Sequence, residues 1–216
     1  MEQAGSPSSL LQECSTELGI QLSAEQVQWF MVYLQQLQIW NQSFNLTSIT
    51  IDDEIIIKHF VDSLAALKAD DISNGSRILD VGTGAGFPGI PLKIARLDLH
   101  ITLVEPSKKR SAFLHFMVGL LRLEKVDIFD GTLERFVTER LSYGSFDYVT
   151  SRALKHDLIF HYGMKLLRPG GKVIVYSSQP ITRADLSSSW LSLSHYAFQL
   201  QKGYGKRVIS IVMPSV

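Results

Sequence analysis

The chain has 216 residues, 45% hydrophobic and 19% charged, which suits one full core and a small accessory unit. Its 21 basic and 21 acidic residues cancel, so overall charge gives no argument for nucleic-acid binding and any such reading must rest on local patches. The lone cysteine, Cys14, excludes an internal disulfide and a cysteine-cluster zinc site.

The start, MEQAGSPSS, lacks a basic segment followed by an apolar one, and no apolar run reaches membrane-spanning length. The expectation is a soluble, cytoplasmic protein. Helical spacing begins at once: Leu10, Leu11, Cys14 and Leu18 make a short stripe that stops at Gly19, a good residue just past a helix end. Ser23 and Gln26 have the spacing of a capping box, and Val27, Phe30, Met31, Leu34 and Leu37 follow on one helix face. The stretch WNQSFNLTSIT, Trp40 to Thr50, reads as a loop because Asn, Ser and Thr bond their own backbone in turns. A third helix is predicted from about Asp53 to Leu67, its start favoured by Asp52, Asp53 and Glu54. The polar stretch ADDISNGS then serves as a linker, giving a helical cap over residues 1–75 and a second domain over 76–216.

In the second domain strands and helices alternate. Strands are predicted at Arg77 to Val81, His100 to Glu105, Lys125 to Phe129, Phe146 to Ser151 and Lys172 to Tyr176. This rhythm predicts an α/β fold with a parallel sheet covered by helices on both faces. Two further strands, Tyr196 to Gln201 and Val208 to Met213, are joined only by KGYGK, which suggests an antiparallel hairpin at the sheet edge.

A doubly wound sheet binds ligands at the carboxyl ends of its strands, near the point where strand order reverses. The string RILDVGTGAGFPGIPLKIA puts four glycines, at 82, 84, 86 and 89, directly after the first strand. There they leave the backbone open to close approach by a ligand. GAGFPG matches the dinucleotide fingerprint, and it equally suits a loop that holds S-adenosylmethionine. Asp80, just before the loop, favours the methyl donor, because its charge attracts an ammonium and repels a pyrophosphate. Glu105, closing the second strand, can accept both hydroxyls of a ribose, which either ligand would use. The segment LLRPGGKVIVY, with the terminal hairpin, resembles the class I methyltransferase fold: Rossmann-like, with a mostly parallel seven-stranded sheet.

The strings DVGTGAGFPGIPLKI, WNQSFNLTSIT, KHFVDSL, KKRSAFL and SRA together resemble the RsmG/GidB family from about Leu10 onward. The resemblance implies S-adenosylmethionine-dependent methylation of a guanine at N7 in the decoding-region stem-loop of 16S rRNA, with that RNA or the small ribosomal subunit as partner and no membrane or metal. It implies that Asp80, Gly82, Gly84 and Phe87 hold the donor, that Glu105 takes the ribose, that Leu133 and Glu134 flank the adenine, and that Arg152 completes the site. Without it, Glu134 reads as an acid on a helix surface. Arg152 follows the apolar strand FDYVT; its guanidinium can fork onto a donor carboxylate or an RNA phosphate, or pair with Asp80 or Asp147.

His59, Asp62 and Ser63 share a helix face, and with Asn45 the resemblance makes them candidates for the acceptor side. Two basic clusters could meet RNA: Lys108, Lys109 and Arg110, and the hairpin residues Lys202, Lys206 and Arg207 with Tyr204 available to stack. The sequence departs from the family where a Lys-Gly pair is expected and Tyr176, Ser177 and Ser178 stand, and where MPSV replaces a basic tail. Guanine N7 carries no proton, so transfer needs alignment and no general base. A small-molecule or other-RNA methyltransferase, a non-catalytic donor-binding protein and an NAD-dependent oxidoreductase are the competing readings.

Overall fold

The computed structural model describes residues 5–140, 144–152 and 156–215; Ala153 of the SRA string and Val216 lie outside them. The first helix, α1 (Pro7–Glu17), starts where the Ser6 hydroxyl accepts the Ser9 amide at 3.2 Å. It stops before Gly19, whose φ of 77° few other residues tolerate. The capping box is present at the start of α2 (Ala24–Phe44): Gln26 Oε1 accepts the Ser23 amide at 2.8 Å, and Ser23 Oγ accepts the Gln26 amide at 3.2 Å. The expected loop from Trp40 is corrected here, because α2 runs on to Phe44 and turns at Asn45, in the left-handed region with φ 50°. Trp40 packs on Phe44 and on Phe113 and Phe116 of the second domain. Those ring contacts outweigh the turn preference of Asn41, Gln42 and Ser43.

The third predicted helix is four pieces in one run: α3 (Asp52–Ile55), a wide π-helical segment (Ile56–Val61), α4 (Asp62–Leu64) and α5 (Ala66–Ala69). After it come β1 (Arg77–Val81), α6 (Gly89–Ala95), β2 (His100–Val104), α7 (Lys108–Leu120), β3 (Val126–Phe129) and α8 (Leu133–Arg140). The chain continues through β4 (Phe146–Ser151), α9 (His156–Leu166), β5 (Leu167–Ser177), β6 (Trp190–Leu200) and β7 (Gly205–Pro214). The seven strands lie in the order β3-β2-β1-β4-β5-β7-β6, parallel except for β7, which runs against both its neighbours. Strand order reverses between β1 and β4, which fixes the ligand crevice above β1.

The β6–β7 hairpin is where the sequence placed it, but β6 starts six residues before the predicted Tyr196. After the buried Trp190 its first half is largely exposed, at Leu191 and from Leu193 to His195, and carries a register shift, as an edge strand tolerates. On one sheet face the core joins the cap to α6 and α7; on the other, α8 and α9 pack around Trp190. Among the described residues no helix is long and apolar enough to cross a membrane.

Candidate donor cleft

The glycine loop is shaped from below. Asp80 is fully buried at the end of β1, and its Oδ2 accepts the Thr83 hydroxyl at 2.6 Å and the Gly89 amide at 2.7 Å. Burial pushes its carboxyl up to about 7. A side chain at position 89 would meet Leu103 at 2.4 Å and Asp80 Oδ2 at 2.9 Å, so glycine is required there. Glu105 holds the loop from the side: Oε2 accepts the Gly84 amide at 2.8 Å and Oε1 the Ser107 amide at 2.9 Å. Each carboxylate oxygen keeps a second lone pair for a ribose hydroxyl. A Cβ at Gly84 would meet only open space, so the cleft side of the loop is clear for a ligand.

The cap closes the crevice from above. Tyr33, buried in α2, donates its hydroxyl to the Ala85 carbonyl at 2.5 Å and stacks on Phe60, Phe87 and Phe113. The sequence reading passed over Tyr33, although it sits three residues after Phe30 in the apolar stripe. Gln26 Nε2 donates to the Ile94 and Ala95 carbonyls, covering the exposed end of α6.

Arg152 is the tie between sheet and cap. Its Nη1 donates to the His59 carbonyl at 3.1 Å and to Ser63 Oγ at 2.8 Å, and its Nη2 donates to the Lys58 carbonyl at 2.8 Å and to His59 Nδ1 at 3.3 Å. Its ion-pair partner is Asp62, at 3.4 Å, instead of Asp80 or Asp147; Asp147 pairs with Arg168. The guanidinium fork is therefore engaged by the cap, and Nε–H has no partner among the described residues. Because arginine only donates, His59 Nδ1 must accept, and Nε2–H donates to Thr47 Oγ1 at 3.0 Å. Burial, and then the Arg152 charge, push the His59 imidazole down to about 3, so it is neutral at physiological pH. Its ring stacks on Phe87 with centroids 4.4 Å apart.

These residues line a cleft of about 220 Å³ bounded by Gly82, Thr83, Gly84, Phe87, Arg110 and Arg152, with Thr47 and His59 on the cap side. Beyond Glu105 a second cleft of about 490 Å³ lies between Pro106, Ala112, Asp130 and Thr132. The two lie on either side of Glu105, a layout with room for an elongated ligand running from the glycine loop toward β3. Leu133 is buried in the core and Glu134 is exposed, its carboxyl held below the usual range by the Thr132 hydroxyl. Neither residue lines these clefts, whereas Asp130, which the sequence reading did not single out, does. Its place directly after β3 was the available signal.

On the acceptor side the named residues separate. His59 reaches the cleft, while Asn45 lies at the α2 turn on a different cavity. Asp62 is buried between Arg152 and Arg207, the latter at 3.6 Å, and Lys202 pairs with Asp53. Lys202 and Arg207 of the hairpin thus bind the cap. Tyr176, in place of the expected lysine, is a buried strut whose hydroxyl donates to the Ser63 carbonyl at 2.8 Å.

A doubly wound sheet of this strand order, with its ligand crevice over the β1 glycine loop, defines a class I S-adenosylmethionine-dependent methyltransferase. A solved S-adenosylmethionine-dependent methyltransferase from Aquifex aeolicus has the same fold, with a TM-score of 0.54 over 74% of this chain and 93% of that one at 13% identity. The family model described as GidB, rRNA small subunit methyltransferase G, matches residues 26–197, and the chain belongs to that family. Relatives named ribosomal RNA small subunit methyltransferase G include those of Caldanaerobacter subterraneus, 38% identical over 80% of this chain and 72% of that one, and of Desulfitobacterium hafniense, 44% identical over 71% and 64%.

Proposed function

We propose that the protein transfers a methyl group from S-adenosylmethionine to N7 of a guanine in the decoding-region stem-loop of 16S rRNA, acting in the cytoplasm on that RNA or on the small ribosomal subunit. The family membership and the names of the relatives support the RNA acceptor. One observation supports N7 in particular: among the described residues no carboxylate lines the cleft over the glycine loop, and the histidine there, His59, is neutral with both ring nitrogens engaged. Guanine N7 presents a lone pair and has no proton to lose, so a cleft without a free base suits it.

When bound, the donor supplies a methyl group on a positively charged sulfur. The chain's residues then act by orientation. Gly82, Gly84 and Phe87 would seat the methionine arm, Glu105 would fix the ribose, and Asp130 to Thr132, just before Leu133 and Glu134, would border the adenine side. Arg152 positions the site by holding Lys58, His59 and Ser63, while Arg110, which has no ion-pair partner among the described residues, is the cation available to a carboxylate. The stacked His59 and Phe87 rings form an uncharged wall against which a base can lie.

The test is methyl transfer from labelled donor to small subunits lacking the modification, read by nucleoside mass spectrometry. A 7-methylguanosine product is expected. Confirmed binding of S-adenosylhomocysteine with no such product would move the acceptor elsewhere.

A further inference from the structure

The cap holds a cavity of about 580 Å³ where the last turns of α2 face the loop that follows it. Its polar lining comes mainly from the side-chain amides of Gln38, Asn41, Gln42 and Asn45; its walls are apolar at Leu37 and Ile55; it has no charged lining residue. The amides are only partly used. Gln38 donates to Asp52, and Asn41 Oδ1 accepts the Thr47 amide at 2.9 Å, which holds the loop in place. The other polar ends of those two, and the exposed side chains of Gln42 and Asn45, have no hydrogen-bond partner among the described residues. A neutral cavity offering both amide donors and amide acceptors suits a planar, uncharged heterocycle better than an ion or a phosphate.

Two neighbouring features say what carries that heterocycle. Thr47 borders both this cavity and the donor cleft, so the two are adjoining subsites. Phe44, next in the chain to the lining residue Asn45, and Phe116 are 40% and 38% exposed beside Trp40, and Lys109 Nζ lies 5.9 Å from the Phe44 ring centre. Lys108, Lys109 and Arg110 have no acid within ion-pair distance among the described residues, in contrast to Lys202 and Arg207, which the cap engages. Exposed rings flanked by unpaired cations are the surface that an unpaired nucleic-acid strand binds, bases on rings and phosphates on cations.

We infer that this cavity is a nucleobase subsite for an unpaired RNA nucleotide flanking the one that is methylated, with the strand entering across Phe44 and the start of α7. The inference rests on the RNA reading above. It adds that recognition occurs in the cap, on amides of α2, apart from the donor loop.

The test uses the full chain with Gln42→Ala combined with Asn45→Gly, glycine being chosen because it accepts the left-handed conformation at 45. Lys109→Ala is the second variant. Three quantities are measured: anisotropy of a labelled unpaired oligoribonucleotide, S-adenosylhomocysteine affinity, and KM and kcat on unmodified small subunits. Expected are an RNA affinity weakened about tenfold or more and a raised KM, at unchanged donor affinity. If the wild type binds the oligoribonucleotide and the double variant loses it while neither methylates subunits, the subsite stands and the 16S acceptor falls. If methyl transfer proceeds with an unchanged KM in the double variant, the acceptor stands and the subsite is overturned. A wild-type chain that does not bind unpaired RNA also overturns it.

Discussion

Gly84 faces the open cleft and Gly89 faces the core, although both read alike in the string. A side chain at 84 would project into open space, and φ there is 63°. Gly84→Val therefore brings a branched side chain into the donor's volume and adds about 1–2 kcal/mol of backbone strain. S-adenosylhomocysteine affinity is expected to fall at least about tenfold with the fold retained; unchanged affinity by calorimetry would remove the loop from the site. The sequence revealed Asp80 and Glu105 by position alone. It could not reveal that Asp80 faces Thr83 and Gly89 and is sealed from solvent, since that depends on how the loop closes. Asp80 also gives a pH signature. Its folded pKa, about 7, lies above the ordinary 3.8, so its contribution to stability is full below about 4 and is lost as pH rises through 7. His59 works in the opposite sense: its folded value of about 3 lies below 6.5, so it stabilises above 6.5 and that contribution is lost as pH falls toward 3. The two oppose each other across the same window and flatten the wild-type profile. Asp80→Asn keeps an acceptor for both donors and removes only the first effect. The melting-temperature difference, variant minus wild type, is expected to grow from pH 4 to 7.5; a constant difference would contradict the assignment.

Among the elements, the third helix shows where sequence reading reached and where it stopped. Its existence and start followed from the apolar spacing and the acids at 52–54. The π-helical segment did not, because what engages its free carbonyls is Arg152, about ninety residues away. Likewise α2 overran its predicted end because the rings that hold Trp40 and Phe44 lie on α7. Widened turns of this kind recur at functional sites, and here the turn puts two carbonyls, one hydroxyl and one imidazole nitrogen around a single guanidinium. Lysine could not reproduce that array. Arg152→Lys is expected to lower stability by about 3 kcal/mol, since Asp62 is left buried with Arg207 alone at a longer distance. For a chain of this length that is a fall of roughly 6 to 12 °C in melting temperature. Donor affinity should fall with it, as His59 loses the bond that sets its ring against Phe87. A melting temperature within a degree or so of wild type would show that the cap is held without Arg152.

At the scale of the molecule, the succession of strands and helices and the terminal hairpin were legible because alternation of elements and glycine punctuation are local signals. The relation of cap to sheet was not, because it is made of contacts between distant parts. The sequence divides at the polar linker 69–76, but the packing does not divide there. Phe30, Tyr33 and Phe60 of the cap form one stack with Phe87 and Phe113 of the sheet domain, and Gln26 covers the end of α6. Removing the cap would expose those rings and leave the Ala85 carbonyl and the end of α6 to water. The division at 75 is thus one of topology, and the cap's proposed role is to support the donor loop as well as to receive the acceptor. The full chain is expected to unfold in one calorimetric transition whose midpoint rises with S-adenosylhomocysteine, since the ligand binds only the folded form. The segment 76–216 made alone is expected to bind a hydrophobic dye and to lose donor affinity. Two separate transitions in the full chain, or donor binding by the truncated one, would mean that the loop keeps its shape without Tyr33. Recognition of the donor would then belong to the sheet domain alone, and the aromatic stack would serve the acceptor side instead.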